Sequence, residues 1–201
     1  MFHFFRIFAD YLLFACMIRP ILALGHPNLR KKSEKITSDF PELKTLIADL
    51  YETMNNANGV GLAAIQVNVP ANVVVVNADP FKEDHPDLEG FQKTYINLEI
   101  LEENGKEWVY NEGCLSVPTI NEDISRKPTI TIAYDDENFV RQTETVSGMV
   151  ARILQHEYEH LQGRVFTDNL SSLRRMLLRK KLEQIGKGQI SGKYKMTHPR
   201  K

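Results

Sequence analysis

The chain has 201 residues, enough for one domain with a sizeable core. Its formal net charge of -1 lacks the basic excess of a general nucleic-acid binder, so DNA is not expected as a partner. Two cysteines, Cys16 and Cys114, are too few for a disulfide scaffold, and a reducing cytoplasmic setting would leave Cys114 available as a thiolate.

The first twenty residues are apolar and aromatic, but Asp10 interrupts them and the clean run is only Tyr11 to Ile18. A spanning helix needs about 20 apolar residues, so no membrane anchor is expected. Phe14 is bulky for a cleavage site and Arg6 is the lone cation before it, which argues against a signal peptide. The favoured reading takes Met17 as the start and residues 1–16 as an N-terminal extension outside the native protein. An accessory segment and a signal stay open. The expected organisation is then a catalytic domain over 17–185 and a flexible basic tail over 186–201.

Leu43, Leu46, Ile47, Leu50 and Met54 recur at helical spacing and predict a helix over 41–56, capped by Ser38 or Asp39. Asn55 to Gly59 breaks it. Val73 to Val76 is a β-branched run and reads as a buried strand. Residues 79–91, with Pro80, Pro86 and Gly90, read as a polar loop. Residues 93–101 form a strand candidate, and Asn104-Gly105 predicts a hairpin returning over 107–110. Residues 129–134 and 139–144 read as strands around a turn at 135–138. Met149, Val150, Ile153, Leu154, Tyr158 and Leu161 predict a second helix over 147–162, ended by Gly163. From Ser171 the chain is basic, with Arg174, Arg175, Arg179, Lys180 and Lys181 among leucines, and an amphipathic surface helix with a frayed end is expected. The elements make an α+β chain, with antiparallel sheets packed around a central helix.

That central helix carries His156-Glu157-Tyr158-Glu159-His160. Residues four apart share one helical face, so two imidazoles can bind one metal ion with Glu157 beside its open position. His156 and His160 continue the apolar stripe of Met149 and Ile153, and buried histidines need a partner. Taken alone the motif also occurs by chance. A third ligand is required. Thermolysin-like proteases take a later Glu, for which Glu183 in the basic tail is the sole placed candidate; the metzincin position after Gly163 is Phe166, not His. Cys114, in the turn Glu112-Gly113-Cys114-Leu115-Ser116, is the better candidate, although a lone buried Cys is commonly mere core. Gly59-Val60-Gly61-Leu62-Ala63-Ala64-Ile65-Gln66 is neither a phosphate loop nor a dinucleotide site. Its small residues allow close backbone approach, and Gln66 is a neutral donor suited to an oxyanion.

The three stretches, in this order, resemble the peptide deformylase family, with its GxGLAAxQ, EGCxS and QHExDH segments. The resemblance runs from about Met17 to Leu182. It implies that Cys114, His156 and His160 hold one divalent metal ion, Fe2+ natively, with Zn2+ or Ni2+ as alternatives. It implies removal of the N-formyl group from the N-terminal methionine of nascent polypeptides, with Glu157 as general base and Gln66 and the Leu115 N–H as oxyanion donors. Val60, Gly61 and Gly113 would contact an extended substrate, and an Arg126–Glu112 pair would steady the cysteine turn. The basic C-terminal segment could dock on the ribosome. Three positions depart from the family pattern: Ile65 and Leu98 stand where proline is usual, and Glu159 where aspartate is usual. A general metalloprotease and a metal-binding paralogue without turnover are the competing readings.

Overall fold

The structure, a computed structural model, describes residues 16–199. The expected extension over 1–16 lies outside the described residues except for Cys16. The Met17 N–H donates to Asp49 Oδ1 at 2.7 Å.

Strands β1 (Ile21–Leu22), β2 (Gly61–Ala63), β3 (Val73–Asn77), β4 (Gln92–Asn104), β5 (Trp108–Cys114), β6 (Val117–Arg126), β7 (Thr129–Asp135), β8 (Arg141–Ser147) and β9 (Met196–Thr197) accompany helices α1 (Leu43–Asn56), α2 (Gly148–Leu161) and α3 (Ser172–Gly186). Five strands form one antiparallel sheet in the order β2-β3-β4-β7-β8, β5 pairs with β6, and β1 pairs in parallel with β9. The α+β architecture expected from the sequence is the one observed.

The Val73–Val76 run is apolar throughout because both faces of β3 are covered. Val73 and Val75 pack with Leu50 and Met54 of α1; Val74 and Val76 pack with Ile153 and Leu154 of α2. The α2 helix therefore lies between the five-stranded sheet and the β5–β6 hairpin, which is the central position expected of it. Gly163 closes it at φ +73, and a Cβ there would stand 2.5 Å from the Arg30 carbonyl oxygen, so only glycine fits.

Several expectations are corrected. Neither Ser38 nor Asp39 caps α1: Glu42 occupies that position in left-handed backbone, and the Asp39 carboxylate is taken by the Thr37 hydroxyl. Asn104-Gly105 does not close a hairpin. The edge of β4 down to Asn104 is paired with β7, and β5 finds its ladder in β6 instead, so this turn passes the chain between sheets. The 79–91 loop contains two short 3-10 turns, Asp79–Phe81 and Pro86–Leu88. The strand expected over 139–144 starts at Arg141. In α3 the apolar residues do not share one face: Ile185 is buried, while Leu173, Met176 and Leu177 are about 63–64% exposed. The C-terminal segment expected to be flexible turns back onto the domain, where the Ile21 and Ala23 N–H groups donate to the Lys195 and Thr197 carbonyls at 2.9 and 2.8 Å.

Candidate active site

Helix α2 brings His156 and His160 to one face, and the tight β5–β6 turn brings Cys114 to them. The ligand-capable atoms of these three residues lie within 4.8 Å of one another. Cys114 Sγ is 3.1 Å from His160 Nε2. Both histidines are buried. His156 Nδ1 sits 3.0 Å from Glu112 Oε2. A carboxylate only accepts, so Nδ1 carries the proton and Nε2 offers its lone pair to the cluster. Burial, with the charge of Arg126 beside it, pushes the His160 imidazole well below its ordinary range and keeps it neutral, as a ligand must be. His160 Nδ1 is buried and has no hydrogen-bond partner among the described residues. One thiolate sulfur from Cys114 and two buried imidazoles, His160 through the Nε2 that faces that sulfur, form a donor set that fits a divalent transition-metal ion.

Glu112 is the hub behind the cluster. It accepts from Arg126 Nε and Nη2 at 2.7 and 2.9 Å and from Arg152 Nη1 at 2.6 Å, besides His156. Burial favours the neutral carboxyl, but the hydrogen bonds of His156 and Arg126 outweigh it and hold Glu112 down at about 2. Arg126 reaches on to Glu159 Oε2 at 3.1 Å, and Asn169 donates to Glu159 Oε1 at 2.7 Å. The expected Arg126–Glu112 pair is present.

Arg152 is an addition that sequence reasoning missed. It lies four residues before His156, so a cation sits on the buried face of the helix. Its guanidinium stacks on Trp108 at 4.1 Å and donates to the Trp108 and Ile124 carbonyls. A charge interrupting an apolar stripe was the available signal.

Glu157 is buried, and its Oε2 has no hydrogen-bond partner among the described residues. Burial pushes its carboxyl up to about 7. Gln66 is fixed from both ends: Oε1 accepts from the Ala63 N–H at 2.8 Å, and Nε2 donates to Ser116 Oγ at 3.3 Å, with Cys114 Sγ 3.9 Å away. This orientation points the amide N–H₂ at the cluster. Gly61 presses on α2: a Cβ there would lie 2.5 Å from Glu157 Oε1 and 2.8 Å from Ile153 Cγ2. Val60, Gly61, Gly113 and Leu115 line a cleft of about 670 Å³ that reaches Cys114, His156 and Glu157. One side of that cleft is β2, an edge strand, and the other is β5.

The departures have local explanations. Ile65 is buried in the core beneath the Gln66 segment. The Leu98 N–H donates to Asn72 Oδ1 at 2.9 Å, a bond proline could not make.

Fold and site together define an α+β domain with an HExxH helix, one thiol and two imidazoles converging on a single point, and a buried carboxylate at an open cleft. A sequence profile of the family described as polypeptide deformylase matches residues 18–176. The peptide deformylase of Flavobacterium johnsoniae is 49% identical over 187 residues, covering 90% of this chain and 95% of its own. That of Christiangramia forsetii is 47% identical, covering 91% and 97%. The crystal structure of a peptide deformylase from Legionella pneumophila superposes with a TM-score of 0.74 at 36% identity, covering 86% of this chain and 98% of its own. The chain belongs to the polypeptide deformylase family, metal-dependent enzymes that remove formyl groups.

Proposed function

We propose that this chain hydrolyses the formyl–nitrogen bond of N-formylmethionyl nascent peptides with Glu157 as general base. The observation that carries this reading is a buried Glu157 carboxylate, one oxygen without a partner among the described residues, on the cleft that Cys114 and His156 of the Cys114–His156–His160 cluster also line. A divalent ion held by Cys114, His156 and His160, with Fe2+ the favoured occupant and Zn2+ or Ni2+ alternatives, supplies Lewis acidity toward water and the formyl carbonyl. Glu157 takes the water proton at the free oxygen and returns it to the leaving amine. The Gln66 amide, held by Ala63, and the Leu115 N–H receive the negative charge that develops on the formyl oxygen, about 3–4 kcal/mol per donor.

The peptide lies extended between the β2 edge near Gly61 and the β5 backbone at Gly113, adding a strand to the sheet. Val60 and the His156 face of α2 bound the space for the methionine side chain. A nascent-peptide substrate supports a cytoplasmic location beside the ribosome. Of the tail cations, Arg174 is engaged by Glu122 at 2.5 and 2.8 Å and Lys181 by the Thr119 carbonyl, which leaves Arg175 and Lys180, with Arg179 held only by an exposed 3.9 Å pair to Glu183, to supply ribosome docking. Loss of co-sedimentation on neutralising those three, with catalysis intact, tests that contact.

Formate release from formyl-Met-Ala-Ser by anaerobically prepared protein tests the function. Glu157→Gln should lower kcat by roughly 10²–10⁴-fold, the range for loss of a general base, with metal content unchanged. A metal-loaded wild type that releases no formate would overturn the reading, and cleavage of internal bonds in unblocked peptides would select a protease instead.

A further inference from the structure

The cleft has a wall that neither the three motifs nor the core elements provide. Ser191, Gly192, Lys193 and Tyr194 line it, although they follow α3 at the far end of the chain. Two connections hold them there. The first runs through β1: the N–H groups of Ile21 in β1 and of Ala23 just after it donate to the Lys195 and Thr197 carbonyls, and the Leu24 N–H donates to the Ser116 carbonyl at 2.8 Å. The second is direct, because the Tyr194 hydroxyl donates to the Leu115 carbonyl at 2.7 Å. Gly192 lies against the Tyr194 ring, where a Cβ would overlap Cζ and both Cε atoms, so the strap is closely shaped around this side chain. Two successive carbonyls of the turn after Cys114 are thus tied to elements outside the hairpin.

We propose that Tyr194 is a positioning residue, which fixes Leu115 through its carbonyl so that the Leu115 N–H is held toward the reacting carbonyl, and that the Ser191–Tyr194 strap forms part of the substrate cleft. The role in catalysis rests on the deformylase reading above; the hold on the turn does not. A tight turn with two residues between Cys114 and Val117 has few internal restraints of its own. A donor that acts in the transition state gains only if it is oriented before the reaction, and an external bond to the same residue supplies that orientation.

Tyr194→Phe keeps the ring and its packing and deletes the hydroxyl. Two measurements are made at matched metal content: amide hydrogen exchange in the segment 112–117, and kcat and KM for formate release from formyl-Met-Ala-Ser. Loss of one neutral hydrogen bond should speed exchange in that segment about fivefold and leave β3 unchanged. The same loss, felt in the transition state alone, should lower kcat about fivefold with KM changed less than about twofold. Unchanged exchange in 112–117, or equal acceleration in β3, overturns the hold on the turn. Accelerated exchange with unchanged kcat overturns the catalytic role. If the wild type itself releases no formate, the deformylase reading fails by that result alone, and the exchange data still decide whether Tyr194 holds the turn.

Discussion

Replacing Arg126 with alanine tests the charge web behind the cluster. The guanidinium makes two short bonds to Glu112 and one to Glu159, and the Arg126 and Glu112 side chains are only 5% and 6% exposed. Breaking a buried ion pair by removing one partner costs about 3–5 kcal/mol, because the remaining charge has lost its compensation. Glu112 keeps Arg152 and His156, and Glu159 keeps Asn169, so the loss should fall at the lower end, about 3 kcal/mol. For a domain of this size that corresponds to roughly 6–12 °C in Tm. Urea denaturation of the apo protein reads the stability directly, and metal dissociation reads the orientation of His156, expected to weaken about 10–100-fold. Arg126→Lys should recover part of the stability but not the paired geometry, since one ammonium cannot reproduce the two-pronged contact. A loss below about 1 kcal/mol, the scale of an exposed pair, would refute the reasoning.

Gly61→Ala should damage turnover more than folding, because its Cβ would land on Glu157 and Ile153. Kinetics should show roughly a 10²-fold drop in kcat/KM, while overpacking costs about 1–3 kcal/mol by denaturation. Glu159→Asp shortens the carboxylate that spans Arg126 and Asn169, so one of the two bonds is lost; denaturation should show about 0.5–1.5 kcal/mol of destabilisation. Asp168 accepts from Arg30 at 2.5 and 3.2 Å and from the Val165 N–H at 3.0 Å. Burial opposes its ionisation, but Arg30 and Val165 prevail and hold its carboxyl below the usual range. Its contribution is therefore present above the unfolded value of about 3.9 and lost as pH falls through the lower folded value. The stability gap between wild type and Asp168→Asn, followed by denaturation from pH 6 downward, should narrow below about pH 4.

Much of the site was legible because its residues serve local rules. A helix places His156 and His160 on one face whatever surrounds it, and the strongly apolar stripe told which face is buried. The Val73–Val76 run declared a strand covered on both sides. The three motifs, read together, indicated the family that the profile and the relatives then showed.

Other features depended on which distant segments meet. Asn104-Gly105 carries a strong local hairpin preference, yet strand pairing is settled by which edges are already occupied, and β7 takes the edge of β4. The caps proposed for α1 failed because Asp39 finds a nearer donor in Thr37. Arg152 was visible as a charge in an apolar stripe, but its partners on Glu112, Trp108 and Ile124 come from other strands. The C-terminal residues show no periodicity and read as a tail; only the parallel pairing of β9 with β1, and the Tyr194–Leu115 bond across 79 positions, bring them to the cleft. Composition, periodicity and motif order determine helices, strands and ligand types, since these follow from short-range geometry. The tertiary structure decided the company each ligand keeps, because long-range hydrogen bonds and burial depend on the whole fold closing around them.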